Sequence, residues 1–272
     1  MFPSSFDYVR ASSVAEAISI LANEEDAKLL AGGHSLLPLM KLRLASPSKL
    51  VDIGRISELS YIEDRGEYVA VGALTRHRDL EVSAVLGSSV PMLSHVASLV
   101  GDPSVRHRGT IGGSVAHGDG ASDLPAAVLA LDATMVAQGP NGTREIPASE
   151  FFLGFLETAL EEGEILTEIK VPKIHGGWSY QKFNRRAQDW AIVGVAAVRN
   201  GSTKVSLVNM GSMPLRALAT EAAMNSGASI SDAAALAAEG IDPPADLNAS
   251  ADYRRHLASV LVKRALEEAS SS

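Results

Sequence analysis

Two pairs of adjacent glycines stand beside hydroxyl residues, in Ala31-Gly32-Gly33-His34-Ser35 and in Thr110-Ile111-Gly112-Gly113-Ser114. Glycine loses more backbone freedom on folding than any other residue, so a doubled glycine needs a reason. Anion binding is one such reason. Without a Cβ the backbone approaches a bulky anion closely and aims successive N–H groups at it, and Ser or Thr hydroxyls add donors. Two such stretches suffice for the two phosphates of a pyrophosphate without any lysine. The same spacing also suits two unrelated tight turns, and the residues alone leave both readings open.

Other chemistries find less support. No Gly-Lys pair occurs, so there is no Walker-type loop, and no G-x-G-x-x-G marks a dinucleotide fold. "GGSVA" at 112–116 is one residue short of a nucleophile elbow, and Ser114, Asp132 and His175 stand in a hydrolase order. An elbow needs a buried strand before it and a helix after it, and the flanks "SVRHRG" and "HGDG" suggest neither. His117, Asp119 and Asp123 in "HGDGASD" offer a cation three ligands, but carboxylates in such a loop more often serve turns and helix caps. No metal ligand and no catalytic residue is assigned. Trp190, in "NRRAQDWAIV", either stacks on a planar ligand or belongs to the core.

The composition narrows the classes. Among 272 residues, 46% are hydrophobic and 21% charged, a balance typical of globular proteins. A net charge of −8 with scattered basic residues argues against nucleic acid as a partner. No apolar run approaches the roughly 20 residues of a membrane span. The start "MFPSSFDYVRASS" lacks the layout of a signal peptide, so a cytoplasmic location is expected. There is no cysteine, which excludes disulfides and any iron–sulfur cluster held by cysteines of this chain.

The elements that must position the glycines follow from periodicity. "SSVAEAISILANEE" reads as a helix with a Ser13/Glu16 capping box, "KLLAGG" and "KLVDIG" as short strands, and "SLLPLMKLRL" as too interrupted by Pro38 for a long helix. Strand, helix and strand within about 55 residues suggest an α/β unit. "EYVAVGALT" alternates as a strand, and "DLEVSAVLGSSVPMLSHVASLVG" is helical with a break near Pro91. The stretch "DPSVRHRGTIGGSVAHGDGASDLPAAVLALDA" is the least regular; six glycines stand from Gly101, just before it, to Gly120, and such segments tend to be functional. "DLPAAVLALDA" resumes a helix. From residue 133 the texture is β, through "TMVAQG", "EILTEIKVP", "WSYQKFNRR", "WAIVGVAAVRN" and "TKVSLVNMGS". Helices "PLRALATEAAMNSG", "DAAALAAEG" and "ADYRRHLASVLVKRALEEA" close the chain, the last with Leu257, Val260, Leu261 and Ala265 on one face.

The segments "LLAGGHSLLPLMKLRLASPSKLVDIGRI" and "GDPSVRHRGTIGGSVAHGDGASDLPAAVLALDA" resemble the flavin-binding medium subunit of the molybdenum hydroxylases, the group of aerobic carbon monoxide dehydrogenase and xanthine dehydrogenase. The likeness runs through "YQKFNRRAQDWAIVGVAA" to "DLNASADYRRHLASVLVKRAL", nearly the whole chain. It implies an α+β fold: a two-lobed α/β FAD-binding region of PCMH type over residues 1–173, with lobes at about 1–55 and 56–173. A C-terminal domain with a three-stranded antiparallel sheet and helices would follow over 174–272.

Carried over by residue, the resemblance implies that Leu30, Ala31, Gly32, Gly33, His34, Ser35 and Leu36 form one pyrophosphate loop. Thr110, Ile111, Gly112, Gly113 and Ser114 form the other. It implies that Asp123 binds FAD on its ribityl or adenosine side, Leu166 and Val100 line the pocket, Lys182 lies near the flavin and Trp190 covers the isoalloxazine. The second motif commonly ends in Asn, and Ser114 departs from that. The resemblance further implies electron transfer through FAD, with the molybdenum cofactor on a large partner subunit and two iron–sulfur clusters on a small one. A dimer of heterotrimers would be the assembly, with its contacts on the Ala-rich and apolar helices. A stand-alone FAD oxidase and a flavin-free scaffold are the alternatives.

Overall fold

The computed structural model describes residues 2–271. Its first lobe comprises β1 (Asp7–Arg10), α1 (Val14–Asn23), β2 (Ala27–Leu30), α2 (Leu36–Lys41) and β3 (Lys49–Asp52). The strands form a parallel sheet in the order β1-β3-β2. The expected strand-helix-strand unit is extended by β1, whose "DYVR" carries no apolar pattern because it is a largely exposed edge. Ser13 caps α1 by accepting from the Glu16 N–H at 3.1 Å, and Val14, Ala17 and Ile18 are buried on its inner face. The second arm of the capping box falls one residue early, with the Glu16 carboxylate accepting from Ser12 N–H at 2.7 Å. α2 has only six residues, and Pro38 sits in its first turn, where a missing N–H costs nothing.

The second lobe begins with β4 (Ile62–Asp64), β5 (Tyr68–Gly72), α3 (His77–Val82), α4 (Ala84–Ser89), α5 (Pro91–Ser98), α6 (Pro103–Arg106), α7 (Ile111–His117) and α8 (Asp123–Ala130). It continues with β6 (Thr134–Gly139), β7 (Gly142–Pro147), α9 (Ala148–Phe151), β8 (Phe152–Gly154), β9 (Glu157–Thr158) and β10 (Ile165–Pro172). Five strands form an antiparallel sheet in the order β4-β5-β10-β6-β7. The apolar segment after Asp79 is three helices, with an added break at Ser83, whose hydroxyl accepts from Leu86 N–H at 3.2 Å.

The stretch read as least regular holds two short helices. Asp102 caps α6 through Val105 N–H at 2.9 Å, and Thr110 caps α7 through Gly113 N–H at 3.1 Å. Helices of four and seven residues are too short to show a period, and α7 tolerates Gly112 because a Cβ there would lie 2.6 Å from the Ala73 carbonyl oxygen. Every residue of α8 is buried.

The C-terminal region comprises β11 (Gly177–Phe183), β12 (Val193–Asn200), β13 (Ser202–Val208), β14 (Leu215–Arg216), α10 (Leu218–Asn225), α11 (Ile230–Ala235) and α12 (Ala251–Ser271). Three long antiparallel strands carry β14 as a two-residue addition to the expected three. The Ala-rich helix therefore starts at Leu218 rather than Pro214. α12 buries Arg254, Leu257, Ala258, Leu261, Val262, Ala265, Leu266 and Ala269, so its inner face is centred slightly off the expected one and Val260 lies at its margin. One core joins the second lobe, α8 and the inner face of the third sheet through Tyr180, Ala196, Val198 and Val208. No helix among the described residues is long and apolar enough to cross a membrane.

Candidate functional site

A cleft of about 1060 Å³ opens between the two lobes and the start of the C-terminal region. That is the upper end of the size of small-molecule sites, about 300–1,000 Å³, and suits a ligand larger than a mononucleotide. Leu30 to Leu36, Val100, Thr110, Gly112, Gly113, Ser114, Asp123, Leu166, Lys182 and Trp190 all line it. Ile111 does not. It is fully buried, and its N–H is spent on the Thr75 carbonyl at 3.0 Å.

The two glycine stretches are built differently. The first leaves the parallel sheet where β2 ends at Leu30 and turns into α2. Gly33 has φ +79°, a left-handed conformation that favours glycine. A Cβ on Gly32 would run into the carbonyl of Arg108, so this glycine lets the two stretches touch. None of the N–H groups of Gly32, Gly33, His34 and Ser35 has an acceptor among the described residues.

The second stretch has spent its N–H groups. Ile111 donates to Thr75 O, Gly112 to Ala73 O at 2.9 Å, Gly113 to the Thr110 hydroxyl and Ser114 to Thr110 O at 3.0 Å. Residues 109–111 lie antiparallel to 75–77, with Arg76 bridged to Thr110 and His77 N–H donating to Gly109 O at 3.0 Å. The expectation that both stretches present backbone donors is thus corrected. The first offers N–H groups, and the second offers an open surface at Gly113 and the Ser114 hydroxyl.

Across the cleft lies a buried ion pair. Lys182, on β11, donates to the Asp123 carboxylate at 2.8 Å and to Leu99 O at 3.0 Å, and each side chain is 8% exposed. The other Asp123 oxygen accepts from the Tyr180 hydroxyl at 2.5 Å. Burial pushes the Asp123 carboxyl up from its ordinary range, with Lys182 and Tyr180 opposing that, and burial together with the neighbouring carboxylate raises the Tyr180 phenol. Both Asp123 oxygens therefore have a protein partner, and the carboxylate ties Lys182 to the wall of the cleft. The "HGDGASD" carboxylates behave as turn and wall residues, with Asp119 accepting from Ala121 N–H at 2.9 Å. Leu166 reaches the cleft beside the irregularity in β10 between Leu166 and Glu168. Trp190 is 60% exposed, which removes the core reading.

Sequence reasoning missed His77, which lines the cleft behind the second stretch. Its Nε2 lies 3.1 Å from the Ser114 hydroxyl, and its Nδ1 is buried without a hydrogen-bond partner among the described residues. Burial is the main force pushing its pKa down to about 4, a backbone interaction with Thr110 opposes it, and the nearby His34, Arg76 and Arg106 add to the lowering. The basic cluster "RHRDL" at 76–80 marks the place in the sequence, but nothing in it distinguishes this histidine.

The folded state therefore keeps His77 neutral where an unfolded chain would protonate it, so stability falls as pH drops from about 6.5 to about 4. The contribution is about 3 kcal/mol. Urea unfolding of His77→Gln without added flavin is expected to show a shallower decline over that window. An unchanged decline would show that His77 is not the group responsible.

The family described as the FAD binding domain in molybdopterin dehydrogenase matches residues 4–174, and the CO dehydrogenase flavoprotein C-terminal domain matches 178–269. The carbon monoxide dehydrogenase medium chain of Hydrogenophaga pseudoflava is 43% identical over 99% of this chain and 98% of its own. A structure of the Hydrogenophaga pseudoflava enzyme lacking the Mo-pyranopterin moiety of its cofactor contains a chain that superposes with a TM-score of 0.96. That chain is 45% identical, with 100% of this chain and 99% of the other covered. Quinoline 2-oxidoreductase from Pseudomonas putida 86 contains a similar chain, with a TM-score of 0.94, 33% identity and the same coverages. Two family matches that together span the chain, and relatives alike over their full length, make this protein a member of the FAD-binding medium-subunit family of molybdenum hydroxylases, an oxidoreductase subunit of the carbon monoxide dehydrogenase type.

Proposed function

We propose that the cleft holds FAD with its pyrophosphate between the Gly32–Ser35 turn and the Thr110–Ser114 turn. The observation that carries this reading is the run of four N–H groups without acceptors among the described residues, opposite a glycine whose Cβ position faces the cleft. Fixed backbone donors in such a concave turn suit an anion. Leu30, Ala31 and Leu36 would support the first turn from either side. Ile111 acts from the core, anchoring the second turn to Thr75. Lys182, Leu166, Val100 and Trp190 would surround the remainder of the cofactor. Asp123 would meet the ribityl or adenosine side of FAD while holding the Lys182 ammonium at the wall.

Bound FAD supplies the capacity to take up electrons singly and release them in pairs to an external acceptor. The chain's share is to bind, orient and tune that group. With no cysteine to ligate a cluster, the electrons would come from two iron–sulfur clusters on a small partner, fed by a molybdenum centre on a large one. A dimer of such heterotrimers, in the cytoplasm, is the assembly we propose. The similar chains belong to enzymes named for carbon monoxide and for quinoline, so substrate choice is assigned to another subunit.

The test is to purify the chain alone and with its partners, release the flavin by denaturation and identify it by chromatography. FAD is expected. FMN would overturn the two-phosphate arrangement, and reduction of the flavin by substrate without partners would make the chain a self-sufficient oxidase. Trp190 provides a second readout. As an exposed indole it is expected to lose most of its emission when FAD is added, through stacking on the ring system, and Trp190→Phe should remove that quench. Such stacking is worth about 1 kcal/mol, so the variant should bind FAD only about fivefold more weakly. A full quench in Trp190→Phe would move the isoalloxazine away from this residue.

A further inference from the structure

Ser114 occupies a place where an asparagine would bring its own N–H donors, whereas a hydroxyl has a single hydrogen and can direct it only one way. Its oxygen lies 3.1 Å from His77 Nε2, and the residue also faces the cleft. The direction of that hydrogen is therefore set by which ring nitrogen of His77 carries a proton.

The surroundings of His77 decide between the two. The ring is 3% exposed, and its Nδ1 edge is pressed against Gly109, where a Cβ would stand 2.9 Å from Nδ1. No acceptor or donor among the described residues meets Nδ1. A proton on Nδ1 would be a buried N–H without an acceptor. A proton on Nε2 leaves only an unused lone pair there, and buried N–H groups without acceptors are the rarer fault in folded proteins. The proton thus belongs on Nε2, and the Ser114 oxygen accepts it.

We infer that His77 is a positioning residue for the cofactor: its Nε2–H fixes the Ser114 hydroxyl so that the serine hydrogen points into the cleft as a donor to the FAD pyrophosphate. This rests on the placement of the pyrophosphate proposed above. The neighbouring histidine supplies the direction that an amide would have by itself. Thr110 is buried, whereas Ser114 is only partly so.

A double-mutant cycle on the full chain tests the inference, with FAD and riboflavin affinities measured by flavin fluorescence. Ser114→Ala and His77→Leu are each expected to weaken FAD about tenfold, the worth of one hydrogen bond to a charged group. Their combination should be no weaker than either alone. His77→Gln keeps an N–H near the Nε2 position and should retain most of the affinity. Riboflavin, which has no phosphate, should bind all four variants alike.

Additive losses, or an equal loss for riboflavin, would overturn the inference. Unchanged FAD affinity in Ser114→Ala beside a large loss in Gly113→Val would overturn it while leaving the pyrophosphate placement intact. Unchanged affinity in both would overturn the placement itself. If His77→Leu fails to fold, imidazole nitrogen shifts of the histidine-labelled full chain decide. A protonated Nε2 is expected, and a protonated Nδ1 refutes the inference.

Discussion

Gly113→Val is expected to strip the chain of FAD while leaving its fold nearly as stable as before. A Cβ at this position meets only the Thr110 hydroxyl, at 2.8 Å, and otherwise faces the cleft. A branched side chain there would stand where the pyrophosphate is placed and would cost at least two charge-assisted hydrogen bonds. At about 1.5–3 kcal/mol each, that is a loss of affinity of about 100-fold or more. The fold loses part of the Thr110 cap, about 1 kcal/mol, or roughly 3 °C in melting temperature.

Gly112→Val is the contrasting variant, because its Cβ would lie 2.6 Å and 2.8 Å from backbone atoms of Ala73 that have nowhere to go. Overpacking against backbone costs about 3 kcal/mol, or roughly 6–12 °C. Melting curves and flavin content on both variants therefore separate a binding glycine from a packing glycine. Full FAD content in Gly113→Val would remove the pyrophosphate from this turn.

Asp123→Ala is expected to be the most destabilising single change at the cleft wall. It leaves the Lys182 ammonium in a site where its side chain is 8% exposed, with only the Leu99 carbonyl as partner among the described residues, and orphans the Tyr180 hydroxyl. Removing one member of a buried pair costs about 3–5 kcal/mol. The reverse change should be milder. In Lys182→Met the Asp123 carboxyl, already pushed up by burial, takes up a proton and keeps Tyr180 as a neighbour. The pair Asp123→Asn with Lys182→Met carries no buried charge and should recover most of the loss. Chemical unfolding of the three variants checks the order. A Lys182→Met variant as unstable as Asp123→Ala would show that the pair does not behave as a buried carboxylate held by a cation.

Much of this site could be read from the chain because its requirements are local. A doubled glycine flanked by hydroxyls is costly wherever it occurs, so both stretches announced themselves before any contact was known. The helix after Ser13 follows from its cap and its periodic apolar face, and the strand ending at Leu30 and the run of α8 from short stretches of apolar residues. Their neighbours within four residues determine them. The absence of cysteine likewise rules out cluster ligation by cysteine whatever the fold.

What the residues did not disclose depends on segments that are far apart along the chain. The first glycine stretch keeps its N–H groups and the second loses them only because residues 75–77 pair with 109–111. Asp123 binds Lys182 and Tyr180 across more than fifty residues, when α8 packs on the third sheet. Ile111 turns inward and Trp190 outward, and both directions are set by which surfaces meet. The role inferred for His77 depends on its burial beneath Ser114 and against Gly109. Local pattern sets which face of an element is apolar. Only packing sets which polar groups are left without partners, and at this cleft those groups are the ones available to a ligand.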